Sequence, residues 1–139
     1  MTATETITKT QTIQDLYAAF QRGDVPAILS CVADDVDWNN EGVASKECPW
    51  NGNFSGKAKL PGFFQAVGEC LDIRVFSPQT FVEQGDHVVV LLRIESTVRQ
   101  TGKPLLNDAV HVWRLDGSGK VSRYRHYNDT AAEIVAWRG

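Results

Sequence analysis

Helices first and an antiparallel four-strand meander after them, an α+β fold, is what the 139 residues predict. Three observations carry this prediction. Apolar residues recur at helical spacing as far as Leu71. The period changes to two from there on, and the separators between the alternating runs are short. Short separators make successive strands antiparallel neighbours, and a run of helices followed by a run of strands puts the helices on one face of the sheet.

Residues 1–9 read as a flexible leader, and the rest as a single domain. From about Gln11, Ile13, Leu16, Tyr17 and Phe20 fall on one helical face, and Gly23 ends that helix as a C-cap. Asp24 opens a second helix, with Pro26 in its first turn and Val25, Ile28, Leu29 and Val32 as its stripe. A short strand, Val36 to Asn40, puts Val36, Trp38 and Asn40 on one face. Glu41 to Gly56 is rich in Gly, Asn, Ser and Pro and has no period, so it is expected to be a long loop gating a cavity, with Trp50 or Phe54 folding over the mouth. Leu60, Phe63, Phe64, Val67 and Leu71 make the stripe of a third helix. Four strand-like runs follow: Leu71–Glu83, His87–Arg99, Leu105–Leu115 and Lys120–Tyr127. Thr130 and Glu133 have capping-box spacing, which opens a short terminal helix with Ile134, Val135 and Trp137.

Composition narrows the function classes. A chain that is 42% hydrophobic and 22% charged is neither disordered nor a membrane span. The net charge of -3 and the lack of a Lys/Arg stripe exclude nucleic acid and an anionic membrane as expected partners. The N-terminus has no basic and no apolar signal region, and Cys31, Cys48 and Cys70 form neither a disulfide framework nor a zinc pattern, so a cytoplasmic location is expected. Cys48, beside Pro49 in a polar loop, is the cysteine expected to be exposed. Asp34 and Asp35 lack His or Cys at ligand spacing and read as a solvated turn, so no metal or other cofactor is expected.

The turn Asp116-Gly117-Ser118-Gly119 joins the last two runs as a hairpin, and side chains two apart in a strand share a face. Leu105, Asn107, Ala109, His111, Trp113 and Leu115 therefore share one face, and Tyr124, His126 and Asn128 share a face of the next run. If these faces coincide, two imidazoles, a phenol and two amides converge. Two imidazoles so placed cannot both be charged cheaply, so at least one should titrate below its ordinary value.

The order of helix, Gly23-Asp24, helix, Ala33-Asp34-Asp35 leading to Trp38, loop with Phe54-Ser55-Gly56, helix and meander resembles the NTF2-like superfamily. Within it, Ala109-Val110-His111-Val112-Trp113-Arg114, Lys120-Val121 and His126-Tyr127-Asn128-Asp129-Thr130 resemble SnoaL-like proteins, a group named after polyketide cyclases and related in fold to ketosteroid isomerases. The resemblance implies a cone in which three N-terminal helices pack on a strongly curved sheet, four meander strands plus a short one, with a short C-terminal helix. It also implies a deep pocket and a homodimer through the outer face of the sheet. Compared with the isomerases, Tyr17 is close to the helix tyrosine, Asn40 falls at the base position and His111 at the oxyanion position. An amide cannot abstract a proton, so the steroid-type reaction does not carry over. Compared with the cyclases, His111 matches the strand histidine, and His126 stands where an aspartate is expected. Arg93-Ile94-Glu95 resembles the Arg-x-Asp of limonene-type epoxide hydrolases.

The expected function is cofactor-free acid–base chemistry, of cyclase, isomerase, dehydratase or hydrolase type, on a small hydrophobic carbonyl or cyclic molecule. His111 and His126 are its expected acid and base, and Tyr17 and Asn40 are expected to polarise the substrate oxygen. Trp38, Trp50, Phe54, Asn107, Trp113, Tyr124 and Asn128 are expected pocket contacts. Arg93 and Glu95 join them if their strand face is inward, and form a surface ion pair if it is outward, since a one-residue slip inverts the faces. The alternatives are a module that binds an apolar ligand without turnover and an interaction domain whose pocket its own side chains fill.

Overall fold

A computed structural model describes residues 8–40 and 47–139. Helix α1 (Lys9–Gln21) starts because the Thr8 hydroxyl accepts the Gln11 N–H at 3.0 Å, and it ends at Gly23, whose φ of 71° a side chain would strain. Thr8 and Lys9 thus belong to this helix rather than to the expected leader, whose first seven residues lie outside the described ones. Its buried stripe includes Ile13, Leu16 and Tyr17, and each apolar side chain so buried contributes about 1.5–3 kcal/mol. Helix α2 (Val25–Ser30) is capped by the Asp24 carboxylate on the Ala27 N–H. It is shorter than its stripe predicts, because Val32 already begins strand β1 (Val32–Asn40). Asp34 and Asp35 are exposed, but they sit in that strand rather than in a turn.

Strand β2 (Gly52–Asn53) pairs with the end of β1. Helix α3 (Leu60–Cys70) buries Leu60 and Phe63, and Leu71 passes directly into β3 (Leu71–Gln84) rather than extending the helix. Strands β4 (His87–Val98), β5 (Pro104–Leu115) and β6 (Val121–Tyr127) complete the expected meander. Among the described residues the sheet has the order β2-β1-β6-β5-β4-β3. Alternation did not reveal that β1 runs parallel to β6. This pairing closes the free side of the last meander strand, and it brings Trp38 opposite Tyr124 and Asn40 opposite His126.

Register shifts at Ile73/Val75 and Pro78/Thr80 of β3 are where an added residue bends and twists a strand, and Pro78, which has no N–H to give, sits at one of them on an edge strand. The helices cover the concave face so formed. Its main core joins Ile13, Leu16 and Ile28 to Trp38, Val90, Leu92 and Trp113, while a second cluster packs Cys48, Trp50, Leu71, Val98 and Leu105 against helix α4 (Thr130–Arg138). Cys48 is therefore fully buried, contrary to expectation, and burial pushes its thiol up to about 12. The expected capping box is also corrected. Asp129 caps α4 by accepting the Ala132 N–H at 3.1 Å, which leaves Glu133 free to turn inward.

Candidate functional site

Register assembles the site. Across β5 and β6, His111 lies opposite His126 and Trp113 opposite Tyr124. On the far side of β6, Asn40 stands opposite His126. Three neighbouring strands thus hold Asn40, His126 and His111 in one row, and α1 lays Tyr17 over the last of them. All four side chains are at least nine-tenths buried.

The buried polar atoms satisfy one another in a chain. Trp113 Nε1 donates to the Tyr17 hydroxyl at 2.9 Å, that hydroxyl lies 2.8 Å from His111 Nδ1, and His111 Nε2 lies 2.8 Å from His126 Nδ1. An indole can only donate, so the Tyr17 oxygen accepts its N–H, and in one polarity Tyr17 donates its own proton to His111 Nδ1. His111 then carries its proton on Nε2 and donates to His126, which carries its own on Nε2, where no described residue bonds it. The reverse polarity is equally complete: His126 Nδ1 donates to His111 Nε2, His111 Nδ1 donates to Tyr17, and the phenol proton is left over. Both polarities hold the same number of protons, and neither puts a charge on a ring.

Burial enforces that neutrality. It holds His111 well below the ordinary 6.5, helped by the neighbouring His126, and holds His126 down at about 4. Burial also raises the Tyr17 phenol above its ordinary value, against the opposing Trp113 hydrogen bond, and raises Tyr124.

A second arm leaves the row through Tyr124, whose hydroxyl donates to Asn40 Oδ1 at 2.9 Å and lies 3.3 Å from His126 Nδ1. Asn40 Nδ2 donates to Asn51 Oδ1 at 3.1 Å, and Asn51 Nδ2 donates to Glu133 Oε1 at 3.0 Å. Trp50 Nε1 donates to Glu133 Oε2 at 2.7 Å, and the Asn128 amide is a third donor to this carboxyl. Glu133 is 2% exposed. Burial raises its pKa, and the three donors act against that rise.

These groups, Asn51 excepted, line a cavity of about 90 Å³. By the same measure a water needs roughly 10–15 Å³, so there is room for about six to nine of them, or for a molecule of one or two rings. Tyr17, Trp38, Asn40, Trp50, Asn107, His111, Trp113, Tyr124, His126 and Asn128 all line it.

Three expected pocket contacts are elsewhere. Arg93 and Glu95 lie on the outer face, where Arg93 Nε meets Glu95 at 3.1 Å and Arg93 Nη1 meets Asp108 at 3.4 Å, because β4 turns Leu92, Ile94 and Ser96 inward instead. Phe54 stands one layer out, its ring 5.2 Å from that of Phe63, which does line the cavity. Trp50 is buried and anchored to Glu133 rather than loose above a mouth; residues 41–46 of the expected gate lie outside the described residues. Asn40 accepts from Tyr124 and donates one N–H of its amide to Asn51, so it orients Tyr124. Sequence reasoning missed Glu133 and Asn51. The signal available for Glu133 was Asp129, a better N-cap that makes a capping-box glutamate redundant.

Among the described residues no group of three His, Cys, Asp or Glu could hold a metal ion, and no helix is long and apolar enough to cross a membrane. The sequence pattern of the SnoaL-like domain matches residues 13–124. No curated protein sequence matches the chain. Solved structures do. An NTF2-like protein from Burkholderia xenovorans LB400 is 29% identical, with 93% of this chain and 95% of that one covered and a TM-score of 0.83. An NTF2-like protein of unknown function from Burkholderia pseudomallei K96243 is also 29% identical, over 94% and 98%, at 0.84. TerC, co-crystallised with polyporic acid, is 31% identical over 94% and 98%, at 0.81.

Proposed function

Because the chain belongs to the family of SnoaL-like domains, we propose that it is a cofactor-free enzyme that moves a proton between two positions of a small, hydrophobic, enolisable carbonyl or cyclic molecule. One observation carries this reading: the Tyr17–His111–His126 chain is unbroken, and its two ends line the same cavity. In one polarity His126 Nε2 has a free lone pair and Tyr17 has a free O–H. His126 Nε2 takes a proton from a substrate carbon, and the C–H electron pair passes into an enol. His126 Nδ1 hands its proton to His111 Nε2, His111 Nδ1 hands its own to the Tyr17 oxygen, and Tyr17 gives its original proton to the substrate oxygen. Every proton lost is replaced, and the chain is left in its opposite polarity. The return passage delivers a proton to a different carbon. No imidazolium forms in a site whose burial disfavours one.

The test is uptake of deuterium from D2O at the α-carbons of 2-tetralone, with polyporic acid as a binding competitor. Wild type should exceed buffer, His126→Gln should lose about 10²–10⁴-fold, and Tyr17→Phe should lose a comparable factor while still binding the ketone. Binding without exchange would defeat the enzyme reading in favour of a binding module.

We further propose that two copies pair through the outer face of the sheet. There Leu91, Leu106 and Tyr127 are 45%, 53% and 45% exposed, which is the kind of apolar surface that marks an interface.

A further inference from the structure

Two buried polar atoms of the cavity wall have no hydrogen-bond partner among the described residues: Trp38 Nε1, a donor, and Asn128 Oδ1, an acceptor. An unpaired buried polar group costs free energy, so each calls for an explanation. Asn128 is the more informative because the protein dictates which way its amide faces. Glu133 lies beside it, and every group that meets this carboxyl offers an N–H: the Trp50 indole, the Asn51 amide and the Asn128 amide. A carboxylate only accepts, so the Asn128 nitrogen must turn toward Glu133 and its oxygen away. Among the described residues nothing then donates to that oxygen. The same arm runs back through Asn51 and Asn40 to Tyr124 and the histidine pair, so the Glu133 carboxyl and the proton-transfer chain belong to one frame.

We propose that Asn128 Oδ1 receives a hydroxyl or N–H of the substrate, and that Glu133 is the positioning residue that keeps this oxygen turned to the cavity. This rests on the small-molecule reading of the pocket and narrows its substrate class. A bare ketone presents no donor and leaves Asn128 Oδ1 unpaired. A hydroxylated ring or an enolised hydroxy-carbonyl compound fills it, and flat molecules suit walls in which the Trp38 and Tyr124 rings stack at 4.1 Å. Asn128 lies just past the end of β6, two residues after His126, and both line the cavity, so a donor held there fixes which atom of the ring stands over His126 Nε2. That is a specificity role, separate from the proton transfer itself.

The experiment compares the affinities of 2-naphthol and 2-methoxynaphthalene, which share a ring system and differ in one donor, by calorimetric or fluorescence titration. Wild type should prefer the naphthol by about tenfold, the worth of one buried hydrogen bond. Asn128→Leu should bring the ratio close to one while both ligands still bind. Glu133→Gln offers an N–H of its own and lets the Asn128 amide turn round, so the ratio should fall toward one or reverse with Asn128 intact. A purely structural role for Glu133 would weaken both ligands together and leave the ratio unchanged. Equal binding of the two naphthalenes by wild type, or a ratio untouched in both variants, overturns the proposal alone. If wild type binds neither, the proposal falls together with the small-molecule reading on which it rests. Should Glu133→Gln fail to fold, the Asn128→Leu ratio decides the acceptor by itself.

Discussion

Acidification should unfold this protein by way of His126, and the size of the effect follows from the site. His126 is 8% exposed and lies against a second imidazole, so burial holds its folded-state pKa at about 4, against the ordinary 6.5. The unfolded chain therefore takes up the proton first. The stability this residue provides is complete above pH 6.5 and is lost as the pH falls through the window from 6.5 to 4. For one group with these two values the loss is about 2 kcal/mol at pH 5 and about 3 kcal/mol at pH 4. That is a large part of the roughly 5–15 kcal/mol that holds a domain folded. His111, lowered by burial and then by His126, acts in the same direction. Glu133, whose pKa is raised, acts in the opposite one, because its folded form binds a proton before the unfolded form does. The assay is urea unfolding followed by tryptophan fluorescence at pH 7, 6 and 5, for wild type and His126→Gln. Glutamine can still accept from His111 Nε2, and the effect of Glu133 cancels between the two proteins. The stability difference between them should shrink by about 2 kcal/mol from pH 7 to pH 5 at constant m. Parallel pH curves for the two proteins would refute the reasoning, because His126 would then be titrating alike in both states.

Glu133→Ala strips the acceptor from Trp50, Asn51 and Asn128 at once, and at about 1–3 kcal/mol for each stranded buried group it should cost roughly 3 kcal/mol or more. Thermal unfolding would show this as a clear drop in Tm, with Glu133→Gln less affected. Cys48, fully buried with its thiol pushed up to about 12, should react with Ellman's reagent only at the rate of unfolding, and prompt labelling of Cys48 in the native protein, located by mass spectrometry, would contradict its placement. The exposed Leu91 and Leu106 predict a dimer by sedimentation at micromolar concentration, and Leu91→Asp with Leu106→Asp should convert it to a folded monomer; a wild-type monomer would remove the interface.

Strand periodicity and turn chemistry are local, and what depends on them was legible in the sequence. The Asp116–Gly119 turn, with Asp116 Oδ1 accepting from Ser118 and Lys120, makes β5 and β6 neighbours. Alternation in β5 then commits Asn107, His111 and Trp113 to one face. The His111–His126 pairing could be read from those two facts because it needs no information from a distant part of the chain. Arg93 and Glu95 could not be assigned in the same way. The run Val88–Leu92 is apolar on both faces, so β4 carries no alternation to say which parity is inward, and only its register with β5 decides it. The Glu133 arm lay further beyond reach. Trp50 and Glu133 meet across 83 positions of sequence, and a tryptophan in an aperiodic loop shows nothing of the acceptor that will bury it. The parallel seating of β1 against β6, which brings Asn40 beside His126, is likewise set by which sheet edge is open once the meander has formed. Local sequence determines which face a residue occupies, whereas the closing of the sheet and helices around one cavity determines which distant faces meet there, since that closure must satisfy every buried polar group together.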